Sequence, residues 1–287
     1  MRLFIFGYGF SARALARRVL AEGWSVAATA RSDPARAEAL ADGVEPVDPA
    51  NPGAMTQAAV SDAILITAPP GERGCPGFEA LKFGLHLYPP PQWIGYLSTT
   101  GVYGDHQGRW VFETTATCAQ SVEGARRVAA EQDWRRMGRA LGLPVCVFRL
   151  PGIYGPGRSP FERLRAGTAH RWTKPGHVFS RIHVEDLATG LLASIHRPRA
   201  DAIYHLCDNE PAPASEVTAY AAGLLGVTPP PEQAYDEAAA SPALRRFYGE
   251  TKRVSNALAK AELGWRPAYP SYREGLMAVL HTELSRN

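Results

Sequence analysis

The residues just after the N-terminus carry the clearest chemical pattern in the chain. Gly7-Tyr8-Gly9-Phe10-Ser11-Ala12 forms G-x-G-x-x-A between the apolar segment Leu3–Phe6 and a helical pattern from Ser11 to Leu20, with Ser11 expected as the N-cap. In such a strand–turn–helix unit the glycines permit a sharp turn and close approach to a diphosphate. Free N–H groups at the start of the helix would bind the phosphate oxygens. The pattern therefore predicts a dinucleotide site.

The residues after the second predicted strand, 25–30, bear on which dinucleotide binds. NAD sites usually place an acidic residue there for the ribose 2′-OH, whereas an arginine accommodates a 2′-phosphate. Arg31 and Ser32 stand at this point and favour NADP over NAD, although Asp33 could reach the ribose. The predicted cofactor contacts are Gly7, Gly9, Phe10, Ser11, Ala12, Arg31, Ser32, Asp48, Ala68 and Pro69.

Short apolar segments alternate with helical patterns through the first half of the chain. Predicted strands cover residues 3–6, 25–30, 44–47, 63–68, 93–98 and 144–150, and a long helix is predicted over 122–141. Such alternation is typical of a parallel sheet covered on both faces. We therefore predict an α/β fold: a Rossmann-type doubly wound parallel sheet with a smaller C-terminal substrate lobe.

The composition of the sequence changes at residues 151–160, which are rich in Gly and Pro. Such a segment is typical of a turn into a different lobe. The predicted units are a dinucleotide-binding domain over 1–152 and a substrate lobe over 153–287, with 182–207 returning to the first domain. Two later helices are expected, around 254–263 and from Tyr272 onward.

Charge and composition exclude several classes of partner. The net charge is only +3 and the charges are scattered, so no nucleic-acid partner is expected. No apolar stretch is long enough for a bilayer or for a signal peptide. The four cysteines lack metal-ligand spacing and are expected to be free thiols. We therefore expect a cytoplasmic protein with no metal site, no membrane partner and a small-molecule substrate.

Four further segments resemble the extended short-chain dehydrogenase/reductases, also called the NAD-dependent epimerase/dehydratase family. They are Leu97–Gly104 (LSTTGVYG), Arg149–Gly157 (RLPGIYGPG), Ile182–Ala188 (IHVEDLA) and Tyr204–Asp208 (YHLCD). The resemblance implies a cleft between cofactor domain and substrate lobe, and a possible homodimer. It places Thr99 at the family's catalytic Ser/Thr, which would hydrogen-bond a substrate oxygen. The alternative is that Thr99 only satisfies the end of its strand.

The family's Tyr-x-x-x-Lys pair is missing from the predicted long helix. The resemblance places Glu123 at the Tyr position and Arg127 at the Lys position. Arg127 could supply the fixed charge, and Glu123 could accept a proton. The two could equally form an ordinary ion pair, because they lie four residues apart on the helix. Tyr103 is another candidate acid, unless it only packs at the strand end.

A second Tyr-x-x-x-Lys spacing and two arginines are further candidates for the site. Tyr248 and Lys252 repeat the Tyr-x-x-x-Lys spacing near the C-terminus, where coincidence is the simpler explanation. Arg158 and Arg181 could hold a phosphate or carboxylate of the substrate, or be surface charges.

Two functions stay open at this point. The first is an enzyme that reduces, epimerises or dehydrates a small polar substrate, with a nucleotide-linked substrate as one option. Glu123, Tyr103 or a water would then stand in place of the missing tyrosine. The second is a catalytically inactive NAD(P)-binding sensor or regulatory module.

Overall fold

A computed structural model describes residues 1–285 of the chain. The strands are β1 (Arg2–Phe6), β2 (Ser25–Thr29), β3 (Glu45–Val47), β4 (Ala63–Ile66), β5 (Trp93–Thr99), β6 (Trp110–Val111), β7 (Val145–Leu150), β8 (Gly152–Tyr154), β9 (Arg171–Thr173), β10 (Arg181–His183), β11 (Ala202–Tyr204), β12 (Glu232–Ala234) and β13 (Arg253–Val254). The helices are α1 (Phe10–Ala21), α2 (Asp33–Ala41), α3 (Pro52–Ala58), α4 (Pro76–Leu87), α5 (Val122–Leu141), α6 (Pro160–Arg165), α7 (Val184–His196), α8 (Ala214–Leu224), α9 (Pro242–Tyr248), α10 (Ala257–Leu263) and α11 (Tyr272–Leu284). A short 3₁₀ helix, Thr100–Tyr103, follows β5.

Seven strands form the main sheet in the order β11-β7-β5-β4-β1-β2-β3, and every pairing is parallel. The predicted α/β class and Rossmann-type doubly wound sheet are therefore confirmed. The strand order reverses direction between β1 and β4, so a crevice opens at the carboxyl ends of the central strands. The glycine-rich turn follows β1 at that edge.

Alternation along β1 explains the two helical layers. Leu3 and Ile5 point into one core, which they share with α1 and α7, whereas Phe4 and Phe6 point into a second core with α4 and α5. Successive side chains of a strand face opposite sides of the sheet, so a strand that is apolar throughout is buried on both faces. The helices packed on the two faces hold the parallel strands in place, with their carboxyl ends at the crevice.

Helix α1 begins earlier than the sequence pattern indicated. The N-cap is Gly9 rather than Ser11, and it makes no side-chain capping bond. The expectation that Ser11 caps the helix was wrong, because the positive φ at Gly7 turns the chain directly into the helix. The first amide groups of α1 are therefore left without an internal acceptor, as an anion-binding helix start requires.

The second half of the chain contributes to both parts of the molecule. Strand β11 pairs with β7 at the edge of the main sheet, and α7 shares its core with α1. A separate core joins α6, α8 and α11. The helix expected over 254–263 begins only at Ala257, because Val254 pairs with Val111 in a short ladder. Within residues 1–285, no helix combines the length and the apolar character that crossing a bilayer requires.

Candidate functional site

Two threonines, one at the end of β2 and one just after β4, hydrogen-bond to the main chain of the glycine-rich turn. Gly7 has a φ of 101°, and its N–H donates to Thr29 Oγ1 at 2.8 Å. A Cβ added to Gly7 would lie 2.6 Å from Thr67 Oγ1, so only glycine fits. A Cβ added to Gly9 would meet no atom within 4 Å, which leaves open space in front of the start of α1. That space and the uncapped amides fit a diphosphate.

A cavity of about 370 Å³ extends from this turn along the ends of β5 and β7. Its lining residues are Gly9, Phe10, Ser11, Ala12, Thr67, Leu97, Ser98, Thr99, Arg127, Leu150, Pro151, Ile153 and Arg158. We refer to it as the cofactor-side cavity. Of the two arginines predicted to bind substrate, Arg158 lies here instead, with its guanidinium 5.6 Å from the centre of the Phe10 ring. The Gly-Pro-Gly turn brings Arg158 beside α1, and its role in binding the substrate stays a prediction.

The remaining predicted cofactor residues follow the ends of β2, β3 and β4. Arg31 is exposed, and Ser32 caps α2 with its side chain. Asp48 is exposed and accepts an N–H bond within its own turn at 2.9 Å. Ala68 and Pro69 follow β4, where the Ala68 N–H donates to a main-chain oxygen of β1. All five therefore lie at the carboxyl edge of the sheet.

Thr99 stands at the junction of this cavity and a second one. It is the last residue of β5, and its Oγ1 accepts the Gly101 N–H at 3.1 Å. This bond satisfies the strand end, as one alternative expected. The same side chain also lines both cavities, so its hydroxyl proton stays available for a bound molecule. The structural and the chemical readings of Thr99 are therefore compatible.

Glu123 and Arg127 make separate contacts instead of the ordinary helical ion pair that was the alternative. Glu123 Oε1 lies 3.3 Å from Arg246 Nη1, which comes from α9 in the C-terminal region. Arg127 donates to the Leu97 carbonyl and lies over the Tyr96 ring, 5.8 Å from its centre. Arg127 lines the cofactor-side cavity. Glu123 belongs to the first turn of α5, and its side chain is mostly exposed.

Tyr103 lines neither the cofactor-side cavity nor the other cavity that adjoins Thr99. It is fully buried, and its hydroxyl accepts from Arg149 Nη1 at 2.8 Å and lies 2.6 Å from His205 Nε2. Burial raises the pKa of the Tyr103 hydroxyl to about 12. The structure therefore places Tyr103 in an internal network, away from any molecule bound in the cleft, and it does not fit the role of catalytic acid.

The second cavity, of about 380 Å³, lies on the other side of Thr99 and is called the substrate-side cavity here. Its lining residues are Thr99, Thr100, Gly101, Leu150, Pro151, Gly152, Val178, Phe179, Ser180, Arg181, Arg246, Phe247, Glu250, Lys252 and Val254. Arg181, which the sequence analysis predicted to bind the substrate, lines this cavity. Arg246, Phe247 and Glu250 were not predicted from the sequence, because none of the family-like motifs includes them.

The late Tyr-x-x-x-Lys spacing was a partial signal for that segment. Tyr248 is buried, with its hydroxyl donating to the Trp172 carbonyl at 3.1 Å, and it lines neither cavity. Lys252 does line the substrate-side cavity, where its Nζ lies 2.5 Å from Glu250 Oε2. The spacing therefore indicated a lysine that lines the substrate-side cavity, but its tyrosine lies outside that cavity.

Ser98 links the cofactor-side cavity to buried charges, and it was also missed. Its hydroxyl donates to Glu131 Oε1 at 2.5 Å, and Glu131 forms an ion pair with Arg149. Within the part of the chain that the structure describes, no tyrosine or histidine lines either cavity, and no group of His, Cys, Asp or Glu is arranged to hold a metal ion.

Comparison with known proteins agrees with this geometry. The model of the NAD dependent epimerase/dehydratase family matches residues 90–207, which include Thr99, α5 and β7. A functionally unknown conserved protein from Silicibacter pomeroyi has a solved structure that is 44% identical, with a TM-score of 0.91 over 98% of each chain. This chain belongs to the NAD-dependent epimerase/dehydratase family.

Two other similar proteins share a lower identity with this chain. Protein YeeZ of Escherichia coli K12 is 29% identical over 245 residues, which are 79% of this chain and 84% of YeeZ. The 3-diazoavenalumate denitrifying reductase of a Streptomyces species is 29% identical over 163 residues, which are 53% of this chain and 52% of the reductase. Membership of the family accounts for the order of the four sequence motifs.

Proposed function

We propose that this protein is an NAD(P)-dependent oxidoreductase, epimerase or dehydratase that acts on a small polar substrate. One observation carries the proposal: the cofactor-side and substrate-side cavities meet at Thr99, Leu150 and Pro151. A dinucleotide held by the start of α1 would have its far end at this junction, beside a substrate in the second cavity. When bound, the dinucleotide supplies the acceptor or donor of hydride.

The residues at the junction suggest how this chain handles the substrate. The Thr99 hydroxyl would donate to a substrate oxygen and hold it in place, since its other interaction is as an acceptor from Gly101. Arg127 supplies a permanent positive charge beside the cofactor-side cavity. Glu123, or a water in the cavity, takes the place of the family's tyrosine in moving a proton. Glu123 reaches solvent and neighbours Arg246, which lines the substrate-side cavity.

NADP is the preferred cofactor in this proposal, and NAD the second choice. Arg31 is exposed at the end of β2, where the adenosine ribose of a bound dinucleotide would lie. Ser32 adds a hydroxyl at the start of α2. A 2′-phosphate would thus meet a guanidinium and a helix N-terminus.

A second function is supported by the α5 residues themselves. Arg127 donates to the main chain at Leu97, and Glu123 is paired with Arg246, so each has a structural partner that needs no reaction. In a dinucleotide-bound sensor or regulatory module, Arg127 and Glu123 would have such structural partners and no part in a reaction. Binding without hydride transfer across a broad panel of carbonyl substrates would favour this second function.

The decisive experiment is calorimetric titration of the full chain and its Gly9→Ala variant with NADPH and NADH. A Cβ at Gly9 meets no protein atom, so the variant should fold normally but lose affinity at least about ten-fold, because the methyl group enters the diphosphate space. Gly223→Ala is the matched control, since Gly223 is also exposed and a Cβ there also meets nothing. If the folded wild type binds neither dinucleotide, the proposed function is wrong.

A further inference from the structure

The charges of the substrate-side cavity do not balance. Three cationic side chains line it, from Arg181, Arg246 and Lys252. Arg246 faces Glu123 at 3.3 Å, and Lys252 faces Glu250 at 2.5 Å. Arg181 forms no ion pair with any carboxylate among residues 1–285. The cavity therefore carries one cation whose charge no neighbouring ion pair neutralises.

Among residues 1–285, Arg181 is hydrogen-bonded through one of its nitrogens. Its Nη1 donates to the Phe179 carbonyl at 2.9 Å and to the Ala212 carbonyl at 3.0 Å. Nε and Nη2 have no hydrogen-bond partner among the residues that the structure describes. A guanidinium presents these two nitrogens as one planar edge, which matches the two oxygens of a carboxylate. Arg181 is thus oriented by the protein and open along its bidentate edge.

Asp208 is the carboxylate that acts most strongly on the charge of Arg181. Its N–H donates to the Arg181 carbonyl at 2.7 Å, but its side chain forms no ion pair with the guanidinium. Burial raises the pKa of the Asp208 carboxyl to about 7, and the positive charge of Arg181 opposes that rise. Burial also lowers the pKa of Arg181. A partly buried guanidinium without a full counter-charge is costly, and an anionic ligand would remove that cost.

Aromatic and aliphatic side chains form the rest of the wall. Phe247 stacks on Phe179 with ring centres 3.9 Å apart and planes 23° from parallel. Phe247 stays 46% exposed, and Val178, Leu150 and Val254 add apolar surface. A flat apolar body would cover this surface and exclude water from it.

We propose that the substrate is a monoanionic organic acid, whose carboxylate binds the free edge of Arg181 and whose flat apolar body packs against Phe247. The single unneutralised cation matches one negative charge, whereas a phosphate dianion would leave charge unpaired. The inference rests on the proposed function, since it names the substrate class of the same cleft.

The test uses the full chain saturated with NADPH and benzoate as the probe, with binding followed by calorimetry. Benzoate should bind with millimolar affinity, as befits so small a ligand. Neutral benzamide, and acetate without the ring, should each bind about ten-fold more weakly or worse. Equal binding of benzoate and benzamide would overturn the proposal. So would preference for inorganic phosphate, or no benzoate binding at tens of millimolar.

Variants assign the binding to Arg181. Arg181→Met should lower benzoate affinity at least about ten-fold while NADPH still binds. Arg136→Met is the matched control, because that guanidinium is 73% exposed on α5 and should leave affinity unchanged. If Arg181→Met unfolds, Arg181→Lys keeps the charge and removes the planar edge, so it should also weaken benzoate. Unchanged affinity in the folded variants would refute the proposal.

The dinucleotide titration keeps two failures apart. If NADPH binds and benzoate does not, the substrate class is wrong and the proposed function stands. If neither NADPH nor NADH binds, the proposed function itself is wrong, and with it the inference that depends on it.

Discussion

Arg149 and Glu131 form an ion pair inside the protein, with Nη2 2.7 Å from Oε2 and side chains only 5% and 4% exposed. The pair joins β7 to α5, and it connects Ser98 in the cleft to Tyr103 in the interior. Each side chain neutralises the charge of the other in an interior from which water is excluded. The position of α5 against the sheet therefore depends on a polar contact as well as on apolar packing.

Removing one partner of this pair should be strongly destabilising. Arg149→Met leaves the Glu131 carboxylate buried without a counter-charge, and we expect the free energy of unfolding to fall by about 3–5 kcal/mol. Urea unfolding at pH 7 measures it. The double variant with Glu131→Leu should recover much of the loss, because it buries no charge. As a control, Arg2→Met at the exposed pair with Glu45 should cost at most about 1 kcal/mol. A comparable loss in both single variants would contradict the explanation.

Glu123→Gln should leave the fold almost unchanged. Glu123 and Arg246 are 66% and 61% exposed, and an exposed ion pair of this kind contributes about 0–1 kcal/mol. Thermal unfolding and NADPH titration of the variant should therefore match the wild type. Any loss of hydride transfer in Glu123→Gln would then report chemistry. A loss of several kcal/mol in stability would show that the ion pair is structural and would weaken that assignment.

Arg31→Ala should change cofactor preference and little else. A charge-assisted contact to a 2′-phosphate contributes about 1.5–3 kcal/mol, so NADPH affinity should fall about ten-fold or more while NADH affinity stays constant. Parallel titrations with the two dinucleotides give the ratio. Arg136→Ala removes another exposed arginine, on α5, and serves as the control. Equal effects on NADPH and NADH would show that Arg31 does not read the 2′-phosphate.

Stability should decrease as the pH falls from about 6.5 towards about 4. Burial lowers the pKa values of His177, His183 and His205 from 6.5 to about 4, so the unfolded chain binds more protons in this range. Asp208 opposes the trend, because its pKa is raised to about 7 and the folded state then holds the extra proton. The three histidines outweigh it, and the net loss between pH 7 and pH 5 should be roughly 1–3 kcal/mol.

Urea unfolding at several pH values checks this prediction. Burial also raises the pKa values of Glu113 and Asp186, so Asp208→Asn removes one of three opposing groups and should make the decline steeper. A stability that stays flat, or that rises on acidification, would contradict the neutral state of the buried histidines.

The helices and strands of the cofactor domain could be predicted from the sequence because their signals are local. Apolar runs, helical spacing and glycines act within a few residues, and β1, β5 and α5 lie close to where those patterns put them. The start of α1 differed by two residues from the predicted N-cap, because the pattern does not report the φ of Gly7.

The sequence by itself determined the dinucleotide-binding turn, the parallel sheet and the position of Thr99 at a strand end. Only the tertiary structure decided that Glu123 meets Arg246, that Tyr103 is buried, that Arg158 lies beside the glycine turn, and that Lys252 and Arg181 share a cavity. These contacts join residues far apart in the chain, and they depend on how the C-terminal segment packs over the cleft. No local pattern encodes such packing, because it depends on the summed burial and pairing of many side chains.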